Sequence, residues 1–361
     1  MSMKGEQLFN EALQTAYQNR ASDIHIERSR EGLVFRLRIN NDLCHHATQP
    51  DDEIIANAFR HIRKRCGFNS GSDGIPLDSA FGTDDPPCDY RCNLMPTKFG
   101  EKIVLRLLRR DMKFDLKNCQ LPEDALKDLT SALDRWQGII VTSGPTGSGK
   151  TTLLYSILSS LIDKKTNVHT LEHPIEYSLD GLNQTEISDK LSFAVGLRGL
   201  MRQDIDAIMV GEVRDVETAT AATYAASTGH MVLTTLHANC AQEIFTRLGL
   251  LGANVELFAA NVSFASAQRL VEINCTHCAQ DETKEQSLWA QTFFKDPNLI
   301  PKSGRGCANC NGTGIAGRKL IIEWLSRSPQ GELTQKGVLK DDVFKLVKAG
   351  MVSSKKAGEV V

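Results

Sequence analysis

The sequence predicts an α/β protein built on a doubly wound parallel sheet, with a phosphate loop at the end of one strand. Three observations carry that prediction. Residues 144–152 read Gly-Pro-Thr-Gly-Ser-Gly-Lys-Thr-Thr, which fits G-x-x-x-x-G-K-[ST], the Walker A pattern. The loop follows Gly138-Ile-Ile-Val-Thr142, an apolar run of strand length, and precedes Leu153, Leu154, Tyr155, Ile157 and Leu158 at the spacing of a helix with one apolar face. From Gly138 to about Arg269, strand-like runs alternate with helical patterns.

Ahead of this core, residues 1–110 carry mixed α and β signals and predict a smaller α+β domain. Leu8, Phe9, Ala12, Leu13 and Ala16 place a helix over Glu6–Tyr17. Asp23–Glu27 and Leu33–Ile39 alternate as half-buried strands do. Asn69–Pro87, rich in Gly, Asp, Ser and Pro, predicts loop, and Glu101–Leu108 returns to strand. The basic run Arg60–Arg65 predicts a solvated helix face. Charged, poorly periodic residues 111–120 read as the linker. Pro122-Glu-Asp-Ala then opens a helix of the main domain, placed at 121–330. Residues 331–361 are polar and weakly patterned and read as a C-terminal tail.

A chain of 361 residues accommodates two domains, and 41% hydrophobic with 24% charged residues is an ordinary globular composition. No apolar run approaches the ~18 residues of a membrane helix. The N-terminus lacks the basic-then-apolar pattern of a signal peptide. Both observations predict a cytoplasmic chain. A net charge of −2 argues against non-specific nucleic-acid binding as the main role.

The loop glycines Gly144, Gly147 and Gly149, with Thr146 and Ser148, let backbone N–H groups wrap a triphosphate at a helix N-terminus. Lys150 is expected to reach the β- and γ-phosphates, Thr151 to bind Mg²⁺, and Thr152 to complete the loop. Downstream, Ile208-Met-Val-Gly-Glu212 is an apolar run ending in an acid, where a strand delivers a Walker B carboxylate to the crevice beside the loop. Glu212 is therefore preferred to Asp204 and Asp206 as the second Mg²⁺-associated residue. Glu172 and Glu176 lie around Pro174, which prevents a regular helix and predicts a turn after a strand. A carboxylate there is suited to orienting the attacking water. His230 and His237 bracket a further core strand, as γ-phosphate-sensing or relay residues.

Ten cysteines in such a chain predict thiols or metal ligands rather than disulfides. Cys275-x-x-Cys278 and Cys307-x-x-Cys310, separated by 28 residues, present four thiolates suited to structural zinc, with a hairpin or short helical insert between the pairs. The module spans about 271–318.

These segments, in this order, resemble the secretion ATPase superfamily of type II secretion, type IV pilus assembly and DNA-uptake motors. The match comprises the Walker A loop, an Asp box at Thr170–Tyr177, a Walker B region at Met201–Asp215 and a His box at Thr228–Asn239. Ala21–Glu27, Pro96–Arg106, Gln268–Val271 and Gly317–Glu323 extend it, from about residue 20 to 325. The resemblance implies a homo-hexameric ring with a PAS-like N-terminal domain and a RecA-like ATPase core. It implies ATP, Mg²⁺ and Zn²⁺ as cofactors, and a cytoplasmic site beside the inner membrane on a membrane-embedded platform protein. It gives Glu172 the role of activating water and Glu212 that of the Walker B acid. His230 and His237 match the His-box pair, and Arg91 and Arg106 stand where N-terminal arginines reach the nucleotide. The four cysteines resemble the assembly and secretion branch rather than the retraction branch.

The chain departs from the family pattern in places. Glu172-His173-Pro174 stands where Glu-Asp-Pro is usual, Asp204-Ile205-Asp206 where Asp-Pro-Asp is usual, and Arg38-Ile39-Asn40-Asn41 where Arg-Ile-Asp-Gly is usual. His173 is expected to make turnover sensitive to pH near neutrality. Assembly members often carry a further domain ahead of the PAS-like one, which here would precede residue 1, so the chain reads either as a short member or as a fragment. Two other readings stay open: a nucleic-acid translocating motor with the cysteine module as a DNA-binding ribbon, and a nucleotide-binding scaffold without turnover. An aromatic content of 6% argues against the first, and the retained glutamates against the second.

Overall fold

A computed structural model describes residues 2–39, 42–68, 74–111, 113–162, 164, 166–310, 312–328 and 330–361. Asn40 and Asn41 of the departing turn, the first five residues of the expected loop from Asn69, and Met112 of the linker lie outside them. The chain divides into two compact units, Met1–Lys113 with Glu176–Asp180, and Phe114–Ile175 with Gly181–Val361.

The N-terminal unit comprises α1 (Ser2–Gln18), β1 (Asp23–Ser29), β2 (Gly32–Ile39), β3 (Asp42–Gln49), α2 (Asp52–Arg65), β4 (Leu77–Thr83), β5 (Cys88–Thr97) and β6 (Gly100–Arg109). The strands form one antiparallel sheet in the order β3-β2-β1-β6-β5-β4. Alternation builds it: Leu33, Phe35 and Leu37 of β2 and Ile24 and Ile26 of β1 are buried, while Arg36 and Arg38 face the other way. Phe9, Ala12, Leu13 and Ala16 recur at helical spacing and join the same core. Asp51 caps α2 by accepting from the amides of Glu53 and Ile54 at 2.9 and 3.1 Å. The basic run closes α2, with Arg63, Lys64 and Arg65 in its last turn, where cations complement the helix dipole. Arg60, Lys64 and Arg65 are exposed, and Arg63 pairs with Glu101.

The expectation of continuous loop before Pro87 fails at β4. Leu77–Thr83 pairs with β5 from Leu77↔Leu94 to Thr83↔Cys88. An edge strand keeps one side of its ladder unpaired and tolerates glycine and polar residues, so its composition mimics loop.

The C-terminal unit begins with α3 (Glu123–Leu133), β7 (Gly138–Ser143), α4 (Lys150–Ile162), β8 (Val168–Glu172), β9 (Asn183–Glu186) and α5 (Phe193–Leu200). It continues with β10 (Ala207–Val210), α6 (Val216–Ser227), β11 (Met231–Leu236), α7 (Glu243–Leu250), α8 (Val255–Asn261) and β12 (Val262–Asn274). The last elements are β13 (Ala279–Asp281), α9 (Lys284–Phe294), β14 (Lys302–Gly304), β15 (Ile315–Arg327), β16 (Leu333–Lys336), α10 (Leu339–Lys348) and α11 (Ser354–Gly358).

The large sheet runs β16-β15-β12-β7-β11-β10-β8-β9. Strands β12 to β9 are parallel, and β15 and β16 add antiparallel at one edge. Every residue of β7, β10 and β11 is buried, which is why these strands read as unbroken apolar runs. Helix α4 was expected to have one apolar face; seven of its residues are buried, Tyr155 and Ser156 among them, because it is enclosed on more than one side. The 331–361 segment holds β16, α10 and α11, and α10 buries Leu339, Val343, Leu346 and Val347 against Val271 and Ile321. No helix among the described residues is long and apolar enough to cross a membrane.

Candidate functional site

The phosphate loop links β7 to α4. Gly144 has φ +143° and the carbonyl of Gln268 so close that a Cβ would sit 2.4 Å from it, which only glycine accommodates. Lys150 Nζ curls back to donate to the carbonyls of Gly144 and Pro145 at 2.8 and 3.0 Å. Ser148 Oγ is buried without a hydrogen-bond partner, and Thr146 and Thr152 are exposed. Gln268, fully buried on β12, accepts from Thr142 Oγ1 at 3.1 Å and donates to the Ser148 carbonyl at 2.9 Å, bracing strand and loop together. Sequence reasoning quoted the Gln-Arg-Leu-Val segment but gave Gln268 no such role.

Because β7, β11, β10 and β8 are parallel neighbours, their C-terminal ends share one edge of the sheet. The loop leaves β7 there, His237 follows β11, Glu212 follows β10 after Gly211, and Glu172 ends β8. His237 lies beside the loop, lining a cavity of about 340 Å³ with Gly144, Pro145 and Asn239. Its Nε2 is 3.4 Å from Glu212 Oε1, while Glu212 Oε2 accepts from Arg214 Nε at 2.7 Å. Arg214 was not singled out from sequence, although it stands two residues from Glu212. Thr235 Oγ1 donates to the Gly211 carbonyl at 2.7 Å and fixes the peptide that carries Glu212.

Glu172 lies on the strand rather than on the turn expected after it, and is only 4% exposed. A buried carboxylate needs hydrogen-bond donors. Its Oε1 accepts from Thr170 Oγ1 at 2.6 Å and Gln184 Nε2 at 3.0 Å, and its Oε2 accepts from Tyr155 OH at 2.5 Å.

The two histidines are not brought together. His230 precedes β11 and His237 follows it, so a strand of ~20 Å separates them. His230 faces a groove with Arg198, Arg202 and Tyr224, and its Nδ1 is 3.1 Å from the Ala225 carbonyl. Asp206 stands at that same end, before β10, and accepts from the Asn167 amide at 2.8 Å. Arg91 and Arg106 lie in the N-terminal unit as direct antiparallel partners on β5 and β6. Arg106 Nε donates to Asp23 Oδ1 at 3.1 Å, which offsets the like charge opposite.

The four cysteines converge. Sγ separations are 3.9 Å for Cys275–Cys307, 3.8 Å for Cys278–Cys310 and 3.7 Å for Cys307–Cys310, and all four lie within 4.8 Å of one another. A tetrahedron with ~2.3 Å Zn–S bonds has edges of about 3.8 Å, so the donor set fits zinc. Burial opposes ionisation of Cys310, but the amides of Cys307 and Gly314, each 3.2 Å from its Sγ, together with the Cys307 and Cys278 thiols, bring it down to about 6, while burial and Cys310 push the Cys307 thiol up to about 11. The pairs are bridged by the antiparallel strands β13 and β14 with α9 between them, where the long spacing predicts a hairpin or a short helical insert.

A family model described as "Type II/IV secretion system protein" matches residues 3–349. The chain is 37% identical over 323 residues to type II secretion system protein E of Klebsiella pneumoniae, covering 88% of this chain and 65% of that protein. It is 34% identical over 359 residues to type II secretion system protein HxcR of Pseudomonas aeruginosa, covering 98% of this chain and 73% of that one. It thus spans about 65% of the length of the protein E relatives it matches. Among solved structures it is similar to the Legionella pneumophila ATPase DotB, with TM-score 0.70 at 22% identity over 98% of this chain and 95% of that one. It is also similar to the pilus retraction motor PilT with bound ADP, with TM-score 0.67 at 22% identity over 97% and 96% of the two chains. At such identity these two likenesses speak to the fold. On the family match over residues 3–349 and the relative covered to 73% of its length, the chain belongs to the type II/IV secretion system protein family.

Proposed function

We propose that this chain is an ATPase that couples ATP hydrolysis to assembly of a type IV pilus or type II secretion pseudopilus. It would work as a homo-hexamer in the cytoplasm, held peripherally to the inner membrane by a platform protein. One observation carries the reading: a phosphate loop, two glutamates and a histidine stand on the C-terminal ends of four consecutive parallel strands.

The loop amides and Lys150 would bind the β- and γ-phosphates, and Thr151 and Glu212 would hold Mg²⁺. The ion, when bound, supplies charge neutralisation on the phosphates. Glu172 would accept a proton from the attacking water as the bond between the γ-phosphorus and the bridging oxygen breaks, leaving ADP and phosphate. His237 would keep Glu212 oriented through their 3.4 Å contact. Arg91 and Arg106 would reach a nucleotide held by a neighbouring copy. Cys275, Cys278, Cys307 and Cys310 would hold one structural zinc.

The test is phosphate release by the wild type and by Glu212→Gln. The variant should hydrolyse at least ~100-fold more slowly while still binding nucleotide. Equal rates would remove Glu212 from the chemistry. No hydrolysis by the wild type, alone or with membranes carrying a pilus or secretion platform, would leave a nucleotide-binding scaffold. Stimulation by single-stranded DNA but not by such membranes would make it a nucleic-acid motor.

A further inference from the structure

The partners of Glu172 come from three separate elements. Thr170 precedes it by two residues on β8 and so shares its face. Gln184 lies on β9 directly opposite Thr170 in the ladder, so the two donors to Oε1 are neighbours by register. Tyr155 lies on α4, five residues after Lys150, and donates to Oε2 at 2.5 Å. Gln184 Nε2 also stands 3.3 Å from the Tyr155 oxygen, which closes the set into a ring of contacts. The Tyr155 side chain is fully buried, with its ring 5.2 Å from that of Phe114.

This arrangement does more than satisfy a buried acid. A glutamate has three side-chain torsions, and donors at both oxygens from different elements fix the carboxylate plane as well as its position. Tyr155 also joins two parts of the proposed machinery that the chain keeps apart. Helix α4 begins with Lys150 and Thr151, and β8 ends with Glu172; the phenol ties the one to the other. A displacement of the phosphate-loop helix would therefore reach the acid through this hydrogen bond.

We propose that Tyr155 and Gln184 are positioning residues that hold Glu172 in its working orientation, with Tyr155 registering that acid to the phosphate-loop helix. The inference rests on the reading of Glu172 as the residue that activates water. It assigns Tyr155, which sequence reasoning counted only toward an apolar helix face, a polar task.

The test is a cycle of variants in the full chain: Tyr155→Phe, Gln184→Leu, Glu172→Gln and the double variant Tyr155→Phe with Glu172→Gln. Each is read by kcat, KM and the affinity for a fluorescent ATP analogue. Phenylalanine keeps the ring packing and removes only the hydroxyl. We expect Tyr155→Phe to lower kcat about 10-fold with nucleotide affinity unchanged, and Gln184→Leu to act in the same direction. Added to Glu172→Gln, Tyr155→Phe should cause no further loss, because both act through one carboxylate.

Wild-type kcat in Tyr155→Phe, with Glu172→Gln inactive, would overturn this proposal and leave the role of Glu172 standing. An equal loss in the presence and absence of the Glu172 carboxylate would make Tyr155 merely structural. Wild-type kcat in Glu172→Gln would instead sink the reading of Glu172 itself. If Tyr155→Phe fails to fold, Gln184→Leu on β9 decides the matter by the same criteria.

Discussion

His169, three residues before Glu172 on β8, shows how a single burial event becomes a pH dependence. Its Nε2 lies 2.8 Å from Thr185 Oγ1, and burial holds the imidazole below its ordinary range. In the unfolded chain the same ring takes up a proton near pH 6.5. Below that pH the unfolded state binds more protons than the folded one, so stability is full above about pH 6.5 and falls as the pH drops through the folded value. His25, on β1 in the N-terminal unit, is lowered by burial and by Lys102 and contributes with the same sign. The urea midpoint should therefore be lower at about pH 5.5 than at about pH 7.5, and His169→Gln should narrow the gap. An unchanged gap in the variant would show that His169 is not a source of the effect. This loss is of fold, and it is separable from the activity profile expected of His173 by assaying turnover per folded chain.

At the scale of elements, the cysteine lobe is where local chemistry has to replace core. Strands β13 and β14 have three residues each, and Gly304 and Gly314 pack so closely that a Cβ on Gly304 would sit 1.9 Å from the Gly314 carbonyl. A two-stranded pair this short is not stable in water by itself, and zinc binding at four converging thiols would supply what packing does not. Cys275→Ser with Cys278→Ser should release the single zinc ion, measured by metal analysis. It should also expose the α9–β13–β14 region to proteolysis while β7, β10 and β11 stay protected. Retention of one zinc per chain would show that the four thiolates are not its ligands. The sequence made this lobe legible because paired cysteines at fixed spacing have few alternatives. The loop between β7 and α4 was legible for the same reason, as were β10 and β11, whose two-sided burial demands unbroken apolar runs. Strand β4 was not, since an edge strand carries the residues of a loop. Helix α10 is hidden in the sequence although Leu339, Val343, Leu346 and Val347 lie at helical spacing, because Lys340, Asp341, Asp342 and Lys345 fill most of the intervening positions. Nor could any local pattern reveal the contact of Tyr155 with Glu172. That pair exists only because α4 and β8 pack together, bringing side by side two residues 17 positions apart in the sequence. The wide separation of His230 and His237, by contrast, was implicit in placing a full strand between them.

For the whole molecule, the chemistry is distributed in a way that one copy does not complete on the proposed reading. The phosphate loop, Glu172, Glu212 and His237 all belong to the C-terminal unit, whereas Arg91 and Arg106 sit side by side on the N-terminal sheet. Arg106 is 62% exposed along its side chain even with Asp23 holding its Nε, so on the proposed reading its guanidinium is accessible to a triphosphate. If a neighbouring copy supplies these arginines, hydrolysis is a property of the assembled ring, and mass action governs it. Specific activity should then climb with protein concentration over roughly a hundredfold range and level off once rings are complete. Arg106→Ala should lower the plateau and leave nucleotide affinity at the phosphate loop largely intact, because the loop amides and Lys150 remain. Mixing Arg106→Ala with Glu212→Gln chains should restore part of the rate, since a mixed ring pairs an intact arginine from one copy with an intact acid from the other. Specific activity independent of concentration, with no recovery on mixing, would mean that each chain hydrolyses ATP alone and that its arginines serve only the N-terminal sheet.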